Sequence, residues 1–416
     1  MSTIATRVIY PALHTNARTE WRLSGAAAFR NLRLSGVGCV TTGGNGAYLD
    51  NCGVLGLISN CYLMNGGDVL DMLQEGHQWL AFQQLRRGES GRDNGLDHSL
   101  YMPLRGSSTS YQVSLGDCKT INKVSAGSRF ASADKSSFMG WVHCNALFSL
   151  LASLPYLPCD AWPNLRLVIE WRSAPSSAIF AGNTAGVDIA GIVPAMLLAD
   201  ALDASDLAAA GPLPPAVVYN RFELERVVLP GGAQPGGGVV TVVDTPLRLV
   251  AAMGKIVNRI CLINVPGDGA ASVAQTDRLK ADCSEALEGE VVQVTVNGEA
   301  LCPYVGIDSA SRKQAMLYQA WGTVNTVQGG HIQAYSPTDN VNKLAGLFDP
   351  QDGGTSVAYQ SYGGLSIQRR VSEMHIAHRR SLTNLRFGAT LLSVVYEVPY
   401  VISFGKPSGS YSVAFA

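Results

Sequence analysis

The stretch Ser149–Trp171, SLLASLPYLPCDAWPNLRLVIEW, passes from one kind of local structure to another. The Leu, Ala and Phe residues from Ala146 to Leu154 suit a short helix, and Pro155 and Pro158 forbid its continuation because proline lacks the amide donor and clashes with the preceding turn. Leu165 to Trp171 alternates and ends in β-formers, which predicts a strand. A helical excursion that feeds a sheet is therefore expected here.

The rest of the chain reads in the same way. Its 44 glycines and 19 prolines are scattered without a period and punctuate short apolar runs, as in a sandwich or barrel with many turns. Strands are predicted in the first half at TEWRLSG, NLRLSGVGCV, NCGVLGLISNCYLM, SYQVSLG and LRLVIEW. A second series comprises YNRFELERVVL, GGVVTVVDTPLRLVAAM, NRICLINVP, EVVQVTVNGEAL, GGHIQAYS, GLSIQRRVSEMHIAHRR and NLRFGATLLSVVYEVPYVISFG. In FELERV the two-residue period places Phe222, Leu224 and Arg226 on one side and Glu223, Glu225 and Val227 on the other, so both faces are mixed. Helices are predicted at ASRKQAMLYQAWG and DNVNKLAGLFD. A longer one is predicted over 68–87, with Asp68 as cap, Val69, Leu70, Leu73, His77 and Leu80 on one face, and Arg86 and Arg87 before Gly88. Pro212, Pro214 and Pro215 mark an extended linker, so the organisation expected is an N-terminal arm over 1–20 and two domains over 21–210 and 211–416.

Length and composition agree with two domains. The 416 residues suit two units of about 200 each. Apolar residues make up 47% and charged residues 15%, against a usual charged share of about 25%, so much surface must be hidden inside or against partners. With 31 basic and 32 acidic residues the net charge is −1, which gives no global attraction to nucleic acid or acidic membrane. No apolar run reaches the roughly 18 to 20 residues of a membrane span, and the opening residues lack the apolar centre of a secretory signal. The nine cysteines contain no C-x-x-C pair, and an odd number without a signal points to reduced, buried thiols in a protein made and kept inside a cell.

Catalytic patterns are missing from the sequence: it has no G-x-S-x-G elbow, no G-x-x-x-x-G-K-[ST] phosphate loop and no H-E-x-x-H helix. His375 and His378 in MHIAH are three apart on a predicted strand, so they face opposite sides and do not converge on one ion without a bulge. Arg369, Arg370, Arg379 and Arg380 flank them as a basic strand edge, where a local anionic contact is the alternative reading. The glycine-rich 230–238 segment lacks the lysine and helix of a phosphate cradle, and Asp282, Glu285, Glu288 and Glu290 lack the spacing of a calcium loop. The six tryptophans are dispersed and read as core or interface packing.

The short helix, Leu-Pro break, spacer and LRLVIEW strand resemble the end of the first jelly roll in the double-jelly-roll major capsid proteins of tailless icosahedral double-stranded DNA viruses, the lineage of adenovirus hexon. EWRLSGAAAFRNLRLSG is similar to the opening strand pair of that family, and LLSVVYEVPYVISFGKPSGSYSVAFA to its last strands. The resemblance implies an all-β fold of two consecutive eight-stranded jelly rolls with short helices in the loops. It implies a structural tile that trimerises into pseudo-hexameric capsomers and assembles the virus shell. It is not an enzyme on this reading, and no catalytic, cofactor-binding or metal residue is carried over. The implied partners are the chain itself as homotrimer, then neighbouring trimers, penton and minor capsid proteins, with no specific nucleic acid. The arm, with Arg7 and Arg18, is expected to face the shell interior or an internal membrane, and the protein to reside in the virion after synthesis in the host cell. The competing readings are a minor vertex or spike protein and a tandem jelly-roll carbohydrate-binding protein or hydrolase.

Overall fold

A computed structural model describes residues 5–42, 47–49, 57–75, 79, 135–172, 180–182, 188–229, 241–266, 291–301, 306, 310–321, 361–382, 390–405 and 411–415. Their strands in the first half are β1 (Ala5–Ile9), β2 (Leu13–His14), β3 (Arg18–Arg22), β4 (Ala28–Thr42), β5 (Ala47–Leu49), β6 (Ile58–Asn65), β7 (Asp68–Leu73), β8 (Lys135–His143), β9 (Leu157–Pro158), β10 (Leu165–Trp171), β11 (Phe180–Gly182), β12 (Asp188–Ile192) and β13 (Met196–Leu202). The second half supplies β14 (Ala216–Leu229), β15 (Thr241–Leu249), β16 (Ile256–Pro266), β17 (Val291–Val296), β18 (Glu299–Ala300), β19 (Ser361–Arg370), β20 (Met374–Leu382), β21 (Thr390–Phe404) and β22 (Tyr411–Phe415). Short α-helices lie at Ser149–Ser153, Ala204–Ala210 and Ala310–Trp321.

One ten-stranded sheet runs through both halves in the order β19-β16-β21-β14-β7-β6-β10-β3-β2, with β22 also on β21. Its two halves meet at a single parallel pair, Leu73 of β7 beside Phe222 of β14. The first half has a second sheet built on the long β4, which pairs with β13 and β12 along one edge and β8 and β9 along the other, with β1 outside β13. The second half has β15-β20-β17-β18, and β5 and β11 form a separate ribbon. Each half thus sets its own smaller sheet against its share of the large one. One cluster of buried apolar side chains draws on all three, including Trp21, Leu34, Leu167 and Leu197 in the first half and Ile260, Val294, Ile376 and Val394 in the second.

The opening stretch folds as its sequence predicts. Ser149–Ser153 is helical, Leu154 is extended ahead of Pro155, Leu157–Pro158 bridges to Ala28 and Phe29, and Leu165–Trp171 is β10, with every residue but Arg166 and Glu170 buried. Ala310–Trp321 is a helix, and the 204–210 helix ends at Gly211 ahead of Pro212, as the linker residues require. Asp203 caps the latter by accepting from the amides of Ser205 and Asp206.

Three expectations are corrected. Asp68–Leu73 is a strand, not the start of a helix: the Asn65-Gly66-Gly67 turn, with Gly66 at φ +60°, returns the chain as a hairpin on β6. Val69, Leu70 and Leu73 fit a helical stripe, but pairing with β6 buries Leu70 and Leu73 equally well and also satisfies the backbone. Trp79 is helical, and 76–78, with His77, and 80–87 lie outside the described residues. The first strand comes earlier than expected, within the 1–20 arm: Ala5–Ile9 pairs with Leu197–Ala201 and Leu13–His14 with Thr19–Glu20. Finally, GLSIQRRVSEMHIAHRR is two strands in different sheets. The chain crosses between them at Val371–Glu373, where Asn297 at φ +53° accepts from the amides of Ser372 and Glu373. The predicted elements at SYQVSLG, GGHIQAYS and DNVNKLAGLFD lie outside the described residues, as do the 230–238 and 282–290 segments.

Candidate functional site

The densest polar chemistry among the described residues lies where the two halves of the large sheet join. Alternation along β14 sends Asn220 and Phe222 to one face and Tyr219, Arg221 and Glu223 to the other. On the first face Arg259 of β16 forks onto Glu397 of β21, donates from Nη1 to the Ala320 carbonyl at 2.9 Å, and lies 4.1 Å from the centre of the Trp321 ring. Asn220 Nδ2 donates to the same carboxylate at 3.0 Å. Trp79 from the first half packs on Phe222, with ring centroids 4.3 Å apart, and edge-on to Trp321 at 5.3 Å. Aromatic packing therefore shields from water an ion pair in which Glu397 is buried and Arg259 partly buried.

On the second face the groups of β14 reach back across the join. Arg221 Nη2 donates to the carbonyls of Val69 and Leu70, each at 3.1 Å, and Tyr219 Oη also donates to Leu70. Arg221 also lies over the Tyr400 ring, while Glu223 accepts from Tyr400 and Lys255. Asp71 of β7 is 2% exposed and accepts from the amides of Met72 (2.8 Å) and Leu150 (3.0 Å). Its nearest approach to Arg221 is 4.0 Å. Burial outweighs these partners and raises the Asp71 carboxyl from 3.8 to about 6. Farther along the chain, Trp162 meets Phe404 and Tyr411 at 5.6 and 6.1 Å, a second contact between first-half and second-half residues.

The sign of the Asp71 effect follows from linkage. Between pH 6 and 3.8 the folded chain holds a proton there that the unfolded chain has released, so this group adds stability as pH falls from 7 and loses it as pH rises through 6. Wild type is expected to gain up to about 3 kcal/mol relative to Asp71→Asn between pH 7 and pH 4. Parallel unfolding curves of the two proteins across that range would refute it.

The residues singled out in the sequence do not converge on chemistry. His378 is buried and His375 partly exposed, on opposite faces of β20, and His375 Nε2 meets Glu373 at 2.5 Å. Two residues of the basic run are matched by acids, Arg379 forking onto Asp244 at 2.7 and 3.1 Å and Arg369 meeting Glu299 at 2.5 Å, while Arg370 donates to the Gly254 carbonyl. Hydrogen bonds from Arg379 hold the Asp244 carboxyl below its usual range. Trp21, Trp79, Trp162, Trp171 and Trp321 are core residues, Cys39, Cys61 and Cys144 are buried free thiols whose ionisation burial opposes, and Cys261 is buried. Among the described residues no three His, Cys, Asp or Glu side chains are grouped to hold a metal ion, and no helix is long and apolar enough to cross a membrane. The joint residues Asp71, Arg221, Arg259 and Glu397 carried no motif; the mixed faces of the neighbouring FELERV run, which holds Phe222 and Glu223, were the one visible trace of the joint.

Two sandwiches sharing a continuous sheet, with helices in their connections, define a double jelly roll. No family model matches the sequence, and no curated protein matches it. Solved structures do. All of this chain aligns with 98% of a chain of the PBCV-1 virus capsid, at 12% identity and a TM-score of 0.57. All of it aligns with 92% of the mavirus major capsid protein, at 10% identity and 0.57, and with 89% of a chain from the Sputnik virophage, at 10% identity and 0.54. These are double-jelly-roll capsid proteins, and theirs is the fold of this chain.

Proposed function

We propose that this chain is the major capsid protein of an icosahedral virus, a tile that trimerises into pseudo-hexameric capsomers and resides in the virion shell. The observation that carries the reading is the end-to-end match to capsid chains, covering both jelly rolls with no large part of either chain left over. Residues 21–210 and 211–416 correspond in this reading to the two rolls that give a trimer its six-fold outline. Exposed apolar side chains supply material for lateral contacts: Val8, Tyr10, Leu13 and Met196 in the first half, and Val218, Val228, Val250 and Phe415 in the second. Neighbouring trimers, penton and minor capsid proteins are the partners, with no specific nucleic acid, no cofactor and no catalysis. An internal membrane beneath the shell is a further partner in this reading, met through the N-terminal residues 1–20.

The test is the mass of the purified chain by light scattering after size exclusion, with particle imaging of the same sample. A discrete species near three times the 44.1 kDa chain mass, or shell-like assemblies, is expected. A stable monomer at micromolar concentration would overturn the reading.

A further inference from the structure

Beside the β6–β7 turn, away from the joint, the large sheet carries a charge arrangement that its own contacts leave unbalanced. In the β3–β10 register Arg22 lies directly opposite Arg166, Glu20 opposite Val168, and Arg18 opposite Glu170. Like charges facing each other across two strands repel, and such pairs are disfavoured unless something bridges them. Glu170 is engaged by Asn60 Nδ2 at 2.8 Å, so the carboxylate shared by the arginine pair is Glu20. It is 6% exposed, and its Oε1 lies 3.5 Å from Arg22 Nε and 3.6 Å from Arg166 Nη1 without a hydrogen bond to either. Arg18 Nη2 approaches the other oxygen at 3.5 Å.

Above this pair opens a cavity of about 430 Å³, lined by Glu20, Arg22 and Arg166 with the Gly66–Gly67 turn and Pro163–Asn164. Neither glycine of the turn puts a side chain over the rim, and the space beside both is open, with nothing within 4 Å of where a Cβ would stand. Arg166 is held in place by donating from Nη2 to the Gly66 carbonyl, whereas the Arg22 side chain is 73% exposed at the opening, with Glu20 as its ion-pair partner. A planar guanidinium pair of this kind matches the paired oxygens of a phosphate or carboxylate.

We propose that this cavity is an oxyanion site, in which one phosphate or carboxylate group bridges Arg22 and Arg166 while Glu20 steadies both from behind. The site stands on the cavity and its charges alone and does not depend on the capsid reading.

The full chain is melted with inorganic phosphate and, separately, with glutarate, at ionic strength held constant with sodium chloride. At ten times the dissociation constant the bound anion raises the melting temperature by about 1 to 2 °C. Arg22→Gln weakens that response at least tenfold in anion concentration. Without anion, Arg22→Gln melts at or above wild type, because it relieves the Arg22–Arg166 repulsion; a lower melting point would mean that Arg22 serves only as a partner of Glu20, and would overturn the proposal. A response to phosphate alone identifies a phosphate-bearing ligand, and a response to glutarate alone a carboxylate such as an acidic side chain of another chain. No response to either, or an undiminished response in Arg22→Gln, also overturns it.

Discussion

Arg259→Ala is expected to lower the stability of the fold by about 3 kcal/mol, the lower end of what stranding a buried charge costs, because Glu397 is buried while the Arg259 side chain is 28% exposed. The loss comes mainly from what is left behind. Glu397 is 3% exposed, and without the guanidinium fork it keeps Asn220 Nδ2 as its neutral partner. The Ala320 carbonyl loses its donor and the Trp321 ring its cation, so the 310–321 helix is loosened at its C-terminal end. Arg259→Lys should recover little, because an ammonium cannot fork onto both carboxylate oxygens and reach Ala320 as well. Glu397→Gln added to Arg259→Ala should recover part of the loss by removing the stranded charge. Denaturant midpoints for the two single variants and the double variant measure this; a loss below about 1 kcal/mol for Arg259→Ala would show that water reaches Glu397 freely.

Trp21→Ala should have an effect of similar size for a different reason. Trp21 is fully buried between the large sheet and the β4 sheet, and its Nε1 donates to the Ala195 carbonyl at 3.0 Å. Truncation opens a cavity and strands that carbonyl, which typically costs about 3 to 5 kcal/mol for a buried Trp. Trp21→Phe separates the two contributions by keeping most of the ring, so it should cost about 1 to 2 kcal/mol for the lost hydrogen bond and residual gap. Equal losses for the two variants would place the energy in the hydrogen bond and not in the packing between sheets.

Elements with strong local signals were legible in the sequence. LRLVIEW combines alternation with β-branched and aromatic residues, and the flanking prolines leave one way to read the preceding helix. Local pattern failed where long-range pairing decided the outcome. Val69, Leu70 and Leu73 satisfy a helical period, yet β6 and β14 claim the same residues for a sheet. Ala5–Ile9 is mostly exposed and has little apolar alternation, so nothing local announces that β13 will take it as a partner. The run SIQRRVSEMHIAHRR is continuous in β-character, and only the corner stabilised by Asn297 divides it. The charges of the joint were hidden for the same reason. Glu223, Arg259 and Glu397 come from distant parts of the chain, and each alone looks like an ordinary polar residue facing solvent.

The pairing scheme also sets an order of events during synthesis. Ala5 pairs with Ala201, and Ala216 pairs with Ser403, so the strands that close each half are made last. During synthesis β1 must wait for β13 until almost all of the first half has been translated, and β14 must wait for β21 through most of the second half. Such distant pairings fold slowly, and the incomplete intermediates expose strand edges that invite aggregation. An intermediate without the β14–β21 pairing lacks the contact that anchors the second half, and its β14 edge stays open to other chains until β21 reaches it.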